Sequence, residues 1–473
     1  MSEPIRFLLN GRLVAARCRA DMTVLEWLRG EALLRGTKEG CAEGDCSACS
    51  VLIQREDAPD AQPVNACILT MGQIAGAAVT TVEGLAGTAP GGNAVQRAMA
   101  ANGSSQCGFC TPGIVVALTA MAASNDDPTA EDVHEAMAGN LCRCTGYRPI
   151  VEAALQAARH IEPLGPPSSW PAAAPASGTG ESSALRPASL AELHAMRADH
   201  PDAPLVAGGT DLGLGVAHAK ARWPIAILTR HVAELRGIED NGDAIVIGAA
   251  ATWTEILPVL EPHWPAFGTI MRRFGSAQVR SVGTMGGNIG TASPIGDAAP
   301  SLLAIGASLV LSGPDGERSV ALGDYFTAYR ETVLGDDEVI RAIIVPKPRE
   351  HEALHAWKVS KRYDQDISTV CGAFLVSLDG ARIGHARTGF GGVAAVPARS
   401  GVVEAALAGA PVTDLSHAAN VAREAFQPLS DMRATARYRA AVLGNLILRL
   451  QAALCGDAAH VTQLDAVLPE AAE

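Results

Sequence analysis

The 473-residue chain lacks any surplus of positive charge: 37 Lys and Arg stand against 50 Asp and Glu, a formal net charge of −13. That balance argues against nucleic acid or an acidic membrane face as partner. No run approaches the roughly 18 apolar residues of a spanning helix, so no membrane segment is expected. The opening MSEPIRFLLNGR has neither the apolar stretch nor the cleavage pattern of a secretion signal. Among the 12 histidines one H-E-x-x-H spacing occurs, His351-Glu352-Ala353-Leu354-His355, whereas neither Gly-x-Ser-x-Gly nor a P-loop is present. These two absences remove the familiar serine-hydrolase and P-loop readings. What is present, 48% hydrophobic and 18% charged residues, can bury ordinary cores, and the length suggests about three domains.

Eight of the 11 cysteines form two quartets in the first third of the chain. Cys41, Cys46, Cys49 and Cys67 leave four, two and seventeen residues between ligands. C-x4-C-x2-C with a distant fourth Cys is the plant-type ferredoxin spacing for a [2Fe–2S] cluster. Three ligands in a tight loop and one from elsewhere suit a compact diiron rhomb. Gly40, Gly44, Ser47 and Ala48 let the backbone wrap closely, with N–H groups free to face sulfur. Zinc is the alternative, but zinc ribbons use paired C-x2-C knuckles. The second quartet is Cys107 and Cys110, then Cys142 and Cys144. Cys110 leads through Pro112, suited to a first helical turn, into the apolar stretch 114–123. Two loop-to-helix junctions would gather these four sulfurs at helix ends, where the dipoles favour negative charge. Zinc remains open here too, although C-x-C is a narrow bite for it. Thiolates held by metal, without a secretion signal, point to the reducing cytoplasm. Cys18, Cys371 and Cys455 are scattered and read as buried small hydrophobes.

Residues 3–16 read as a hairpin turning at Asn10-Gly11, followed by a short helix over 23–29 capped by Asp21 or Thr23. That order suits a β-grasp. Helical character dominates from about residue 93 to 160. Residues 162–187 are Pro-, Ala-, Ser- and Gly-rich and read as a linker, flexible toward Gly180. An α/β region follows with two glycine-rich segments. In the first, Leu205, Val206 and Ala207 run into Gly208, Gly209, Thr210, Asp211 and Leu212. Such a turn exposes backbone N–H groups to a phosphate, though a plain strand–turn reads equally well. The second contains Thr284, Met285, Gly286, Gly287 and Asn288, then Thr291 and Asp297. Its hydroxyls and amides suit pyrophosphate and its carboxylate a ribose-type hydroxyl; a long structural loop is the alternative. Strands over 383–390 and helices over 415–426 and 434–454 complete the chain.

GCAEGDCSAC, SQCGFCTPG and GNLCRCTGYRPI, in this order, resemble the iron–sulfur region of the molybdenum hydroxylases, the xanthine dehydrogenase and aldehyde oxidase family. One departure is Ser47, where the family usually has Gly. The two glycine-rich segments resemble the family's flavin domain. The resemblance implies an α+β multidomain fold: a β-grasp ferredoxin-like domain (1–82), a helical-bundle [2Fe–2S] domain (83–160), a linker (161–187), an α/β FAD-binding domain (188–350) and a C-terminal α+β domain (351–473). It implies two [2Fe–2S] clusters on the eight cysteines and FAD on Leu205–Leu212 and Thr284–Asn288. It adds Phe274, Thr291, Asp297, Ile340 and Lys358 to the flavin contacts, with Lys361 and Arg362 extending a cationic cluster, and Tyr329 near a nicotinamide site. Gln106 matches a residue that reaches the pterin of a molybdenum partner. No substrate-hydroxylating residue is expected in this chain. The implied role is that of the small, electron-transfer subunit of a two-chain NAD-dependent purine hydroxylase of xanthine dehydrogenase type. A large molybdopterin subunit would be its partner in a dimer of heterodimers. Competing expectations are an aldehyde or N-heterocycle hydroxylase of the same build, a stand-alone iron–sulfur flavoprotein, and a zinc-stapled binding module.

Overall fold

The computed structural model describes residues 3–86, 91–161, 164–179 and 181–456. The backbone forms two compact units. The first comprises Met1–Arg236, Ala250–Thr254 and Phe274–Gly287; the second holds Gly237–Ala249, Glu255–Arg273 and Asn288–Glu473.

The first unit begins with the expected hairpin, β1 (Ile5–Leu9) and β2 (Arg12–Ala16). Asn10 and Gly11 both adopt positive φ, 49° and 76°, as a two-residue turn between right-twisted strands requires. Helix α1 (Val24–Gly30) is capped by Thr23, whose hydroxyl accepts from the Glu26 N–H. Asp21, the alternative cap, instead accepts from the Trp223 N–H. Strands β3 (Ser50–Arg55), β4 (Ala58–Asn65) and β5 (Ala78–Thr80) complete a sheet of order β2-β1-β5-β3-β4 with β1 and β5 parallel. This is the β-grasp. Its core sets Val24, Leu25 and Leu28 of the helix against Ile5, Phe7, Val51 and Val79.

Four helices follow: α2 (Ala94–Ala101), α3 (Thr111–Ser124), α4 (Ala130–Met137) and α5 (Arg148–Ala158). Reciprocal capping boxes start α2 (Asn93 with Gln96) and α4 (Thr129 with Asp132). Pro112 and Pro149 occupy first turns of α3 and α5. Helix α3 is buried on nearly all sides, which its unbroken apolar run demands.

The stretch read as an unstructured linker contains two paired strands, β6 (Ala176–Thr179) and β7 (Ser182–Leu185). They join β8 (Leu205–Val206) and β9 (Ile225–Leu228) in a sheet of order β6-β7-β9-β8. Small residues conceal a strand from any hydrophobic alternation, and sheet pairing supplies what the side chains do not. Gly180 lies outside the described residues.

The second unit holds a five-stranded antiparallel sheet in which Val339–Pro346 lies between Ala244–Gly248 and Ser308–Gly313. A three-stranded antiparallel sheet (Glu352–Val359, Val370–Asp379, Arg382–Gly391) carries helices Gly401–Leu407, Ser416–Glu424 and Ala436–Leu454. Phe374, Phe390, Leu443 and Ile447 fill the space between sheet and helices. Among the described residues no helix is long and apolar enough to cross a membrane.

Candidate redox centres and flavin site

The first quartet converges on the loop between α1 and β3. Backbone N–H groups of Glu43 and Cys46 point at Cys41 Sγ (3.4 and 3.3 Å), and the Cys41 N–H points at Cys46 Sγ (3.3 Å). Hydrogen bonds from the Cys46 and Cys67 thiols hold Cys41 toward the thiolate, and those contacts push Cys46 and Cys67 the other way. The loop folds tightly through positive φ at Ala42, Gly44 and Ser47. A Cβ on Gly40 would lie 2.7 Å from Cys46 Sγ, so only glycine lets the chain close on sulfur. Asn65, which sequence reasoning passed over, ties the loop to β4 by donating to the Gly44 carbonyl at 2.9 Å.

The second quartet gathers at the ends of α3 and α5. Cys110 is the N-cap of α3, and Cys142 and Cys144 precede α5. Cys107 and Cys144 sulfurs lie 3.5 Å apart at the surface. Cys110 and Cys142 are half-buried, and burial followed by the Cys142 contact pushes the Cys110 thiol up to about 12. Tyr147 braces this loop: its hydroxyl accepts from the Cys142 N–H at 2.7 Å. The two quartets are joined by backbone, because the Leu141 N–H donates to the Cys46 carbonyl at 3.2 Å. Asn140 adds a bond to the Ser47 carbonyl at 3.2 Å and accepts from Gln278 at 3.0 Å. Among the described residues no group of three ligand-type side chains is placed to hold a single ion. A four-thiol set with N–H groups aimed at sulfur fits a sulfide-bridged cluster.

In the first unit, the Gly208 turn closes over the 282–284 segment: a Cβ on Gly208 would run into the Val282 carbonyl, and Gly209 has φ 75°. Ala207, Gly208 and Thr284 line a small, part-open cleft with Arg55, Gln73, Leu228, Arg230, His231, Ala250 and Val282. Thr284 Oγ1 accepts from the Gly287 N–H at 3.0 Å, opening the short helix that contains Met285 and Gly286. Thr210 and Asp211 lead into a short helix that begins at Leu212 (Leu212–Ala217). Phe274 packs edge-on against Trp253 at 5.5 Å. Close backbone approach and a cation-rimmed cleft suit a phosphate group.

In the second unit, Asp297 and Lys358 form a buried ion pair of 2.7 Å, with side chains 7% and 1% exposed. Ser368 donates to the other Asp297 oxygen at 2.5 Å, and Lys358 also donates to the Arg273 carbonyl at 3.2 Å. The cationic cluster expected over 358–362 therefore divides. Lys358 turns inward from its strand, whereas the exposed Lys361 bonds the Met432 carbonyl. Ile340 is buried, Asn288 and Thr291 are half-buried, and Tyr329 is 62% exposed. Cys18 and Cys371 are buried as expected; Cys455 is exposed, just past the last helix, correcting its reading as a core residue.

Four family models match the chain in sequence order. They are a 2Fe-2S iron-sulfur cluster binding domain (7–72), a [2Fe-2S] binding domain (81–155), an FAD binding domain in molybdopterin dehydrogenase (180–348) and a CO dehydrogenase flavoprotein C-terminal domain (355–454). The chain is 31% identical to a xanthine dehydrogenase from Emericella nidulans over 87% of its own length. The chain belongs to the molybdenum hydroxylase family. A xanthine dehydrogenase/oxidase from Gallus gallus is 29% identical over 83% of the chain. This member spans 35% of the length of each of these relatives. Among solved structures, carbon monoxide dehydrogenase from Hydrogenophaga pseudoflava matches 56% of the chain and 94% of its own (29% identity, TM-score 0.54). Quinoline 2-oxidoreductase from Pseudomonas putida 86 matches 58% and 96% (25%, TM-score 0.54). The chain thus carries the iron–sulfur and FAD electron-transfer domains of a molybdenum hydroxylase, an oxidoreductase family. Its fold is the expected α+β assembly of two [2Fe–2S] domains, a flavin domain and the C-terminal domain. Ser47 stands at a left-handed position, φ 48°, the conformation in which the expected glycine costs nothing.

Proposed function

We propose that this chain is the electron-transfer subunit of a xanthine dehydrogenase, linking a molybdenum-cofactor partner to NAD+ in the cytoplasm. The observation that carries the substrate is the 31% identity to a xanthine dehydrogenase across 87% of the chain. Cys41, Cys46, Cys49 and Cys67 hold one cluster; Cys107, Cys110, Cys142 and Cys144 hold the other. Leu205–Leu212, Phe274 and Thr284–Gly287 hold FAD, and Asn288, Thr291, Asp297, Ile340 and Lys358 share that role. When bound, the clusters exchange electrons singly and the flavin trades single electrons for a hydride.

The chain's own groups prepare these sites. N–H groups on Cys41 and Cys46 offset thiolate charge without reorganising. The Leu141–Cys46 hydrogen bond links a residue adjoining ligand Cys142 to ligand Cys46, so the quartets are separated by a short bonded path. The Gly208 turn brings backbone donors close to a phosphate. The domain limits at 82/83, 160/161 and 350/351 belong to the same proposal, with strands β6 and β7 counted in the flavin domain rather than in a linker ending at 187, as does assembly with a large molybdenum subunit in a dimer of heterodimers.

Anaerobically purified protein should contain about four irons and one FAD, with two distinct [2Fe–2S] resonances after reduction. Assembled with its molybdenum partner, it should reduce NAD+ with xanthine in preference to quinoline or an aldehyde. Zinc in place of iron in folded protein would end the redox reading. Preference for quinoline would favour the second reading, an N-heterocycle hydroxylase, which the likeness to quinoline 2-oxidoreductase supports.

A further inference from the structure

We infer that Arg55, Arg230 and His231 form an anion-recognising wall of the Gly208 cleft, and that the ligand they recognise is the diphosphate of a nucleotide, supplied here by FAD. The inference rests on the flavin reading of that cleft and adds a contribution from the ferredoxin-like module, since Arg55 ends β3 of the β-grasp sheet.

The cleft is lined on one side by Ala207, Gly208, Val282 and Thr284, where small residues and a hydroxyl allow close approach. Arg230 and His231, immediately after β9, and Arg55 complete the lining. These cations are crowded. The charges acting on Arg55 come from Arg230, Arg186 and Arg236 against one carboxylate, Asp57. Asp57 is itself shared by Arg230 (3.5 Å) and Arg236. Burial, then the charge of Arg230, pulls the Arg55 guanidinium down to about 9, so it stays positive at neutral pH. Burial and the neighbouring arginines drive His231 down to about 3, so its ring is neutral. Arg186 Nη2 lies 3.4 Å from His231 Nδ1. Because an arginine can only donate, Nδ1 accepts and the ring proton sits on Nε2, leaving a neutral N–H donor. Two guanidiniums and an imidazole N–H around a half-buried space match a doubly anionic diphosphate in both charge and donor count. Leu228, Ala250 and Val282 supply apolar wall for the attached nucleoside. Gln73, whose side-chain amide donates to the Gly208 carbonyl at 3.0 Å, ties the same module to the turn.

The test uses the full chain stripped of flavin, titrated with FAD, FMN, ADP and NADH, with the iron–sulfur spectrum as a record of folding. Wild type should bind FAD and ADP. Arg55→Met should weaken both by about tenfold to a hundredfold, the range for one charge-assisted hydrogen bond, and should flatten the salt dependence of FAD binding. FMN, which carries no diphosphate, should bind Arg55→Met as it binds wild type. Arg55→Lys, which keeps the charge but loses the fork, should fall between wild type and Arg55→Met; it decides the matter if the Met variant loses its clusters. Equal FAD affinity in wild type and both variants would overturn the inference while leaving the flavin reading intact. So would FAD binding without ADP binding, or a loss confined to NADH, which would assign the wall to the other dinucleotide. Wild-type protein that binds no FAD at all would instead defeat the flavin reading itself.

Discussion

Ser47 holds a left-handed backbone within the first cysteine loop, and its hydroxyl is buried without a partner among the described residues. Its carbonyl, by contrast, is well used, accepting from Ser50 Oγ at 2.8 Å and from Asn140. The side chain therefore brings strain and a desolvated hydroxyl to a position whose backbone does the bonding. Ser47→Gly should raise stability by about 1–2 kcal/mol, net of glycine's extra unfolded-state entropy. Denaturant midpoints compare the two proteins directly, and a lower midpoint for the glycine form would show that the hydroxyl is satisfied in solution. Lys358 illustrates the opposite case: a cation expected in a cationic cluster with Lys361 and Arg362 is, by geometry, half of a buried pair with Asp297. Taking either charge out of water alone is expensive, so each requires the other.

At the scale of elements, local rules account for most boundaries. The Asn10-Gly11 hairpin, the Thr23 cap, the capping boxes of α2 and α4 and the prolines of α3 and α5 each act within a few residues. Gly11 isolates one such rule, because nothing lies within 4 Å of an added Cβ at its φ of 76°. Gly11→Val should cost about 1–2 kcal/mol from backbone conformation alone, and Gly11→Asn less, since asparagine tolerates that region. Urea midpoints of the three proteins check the ranking; an unchanged midpoint for the valine form would mean that the turn reshapes freely. Strands β6 and β7 show where local rules stop. ASGT and SSAL carry no hydrophobic alternation, and their pairing is decided by β9, some forty residues on.

At the scale of the whole molecule, the two quartets rest on different supports: a loop of the β-grasp sheet and the ends of α3 and α5. Loss of one should spare the other. In the assembled enzyme, Cys142→Ser should remove one [2Fe–2S] resonance and about half of the iron. On the function proposed above, xanthine-dependent NAD+ reduction should fall more than tenfold, while FAD content and NADH oxidation by an artificial acceptor stay close to wild type. Metal analysis, resonance spectra and the two assays read these separately. Parallel loss of both activities in protein that keeps its FAD would show that NADH oxidation at the flavin also depends on this cluster.

The sequence by itself determined the module order, the two sets of sulfurs and the glycine turns, because each depends on spacing within a short segment. The cysteine loops, the helical run and Gly208 were legible for that reason. Tertiary structure alone decided which distant side chains share a space. Arg55 ends β3 while Arg230 and His231 sit in the turn after β9, and they carry no motif; only the pairing of β8 with β9 and the contact of the β-grasp module with the Gly208 turn make them neighbours. It also decided that Lys358 faces Asp297 and that Cys455 faces solvent. Charge, hydroxyl and thiol groups acquire their roles from burial and partners, and neither is written in the local chain.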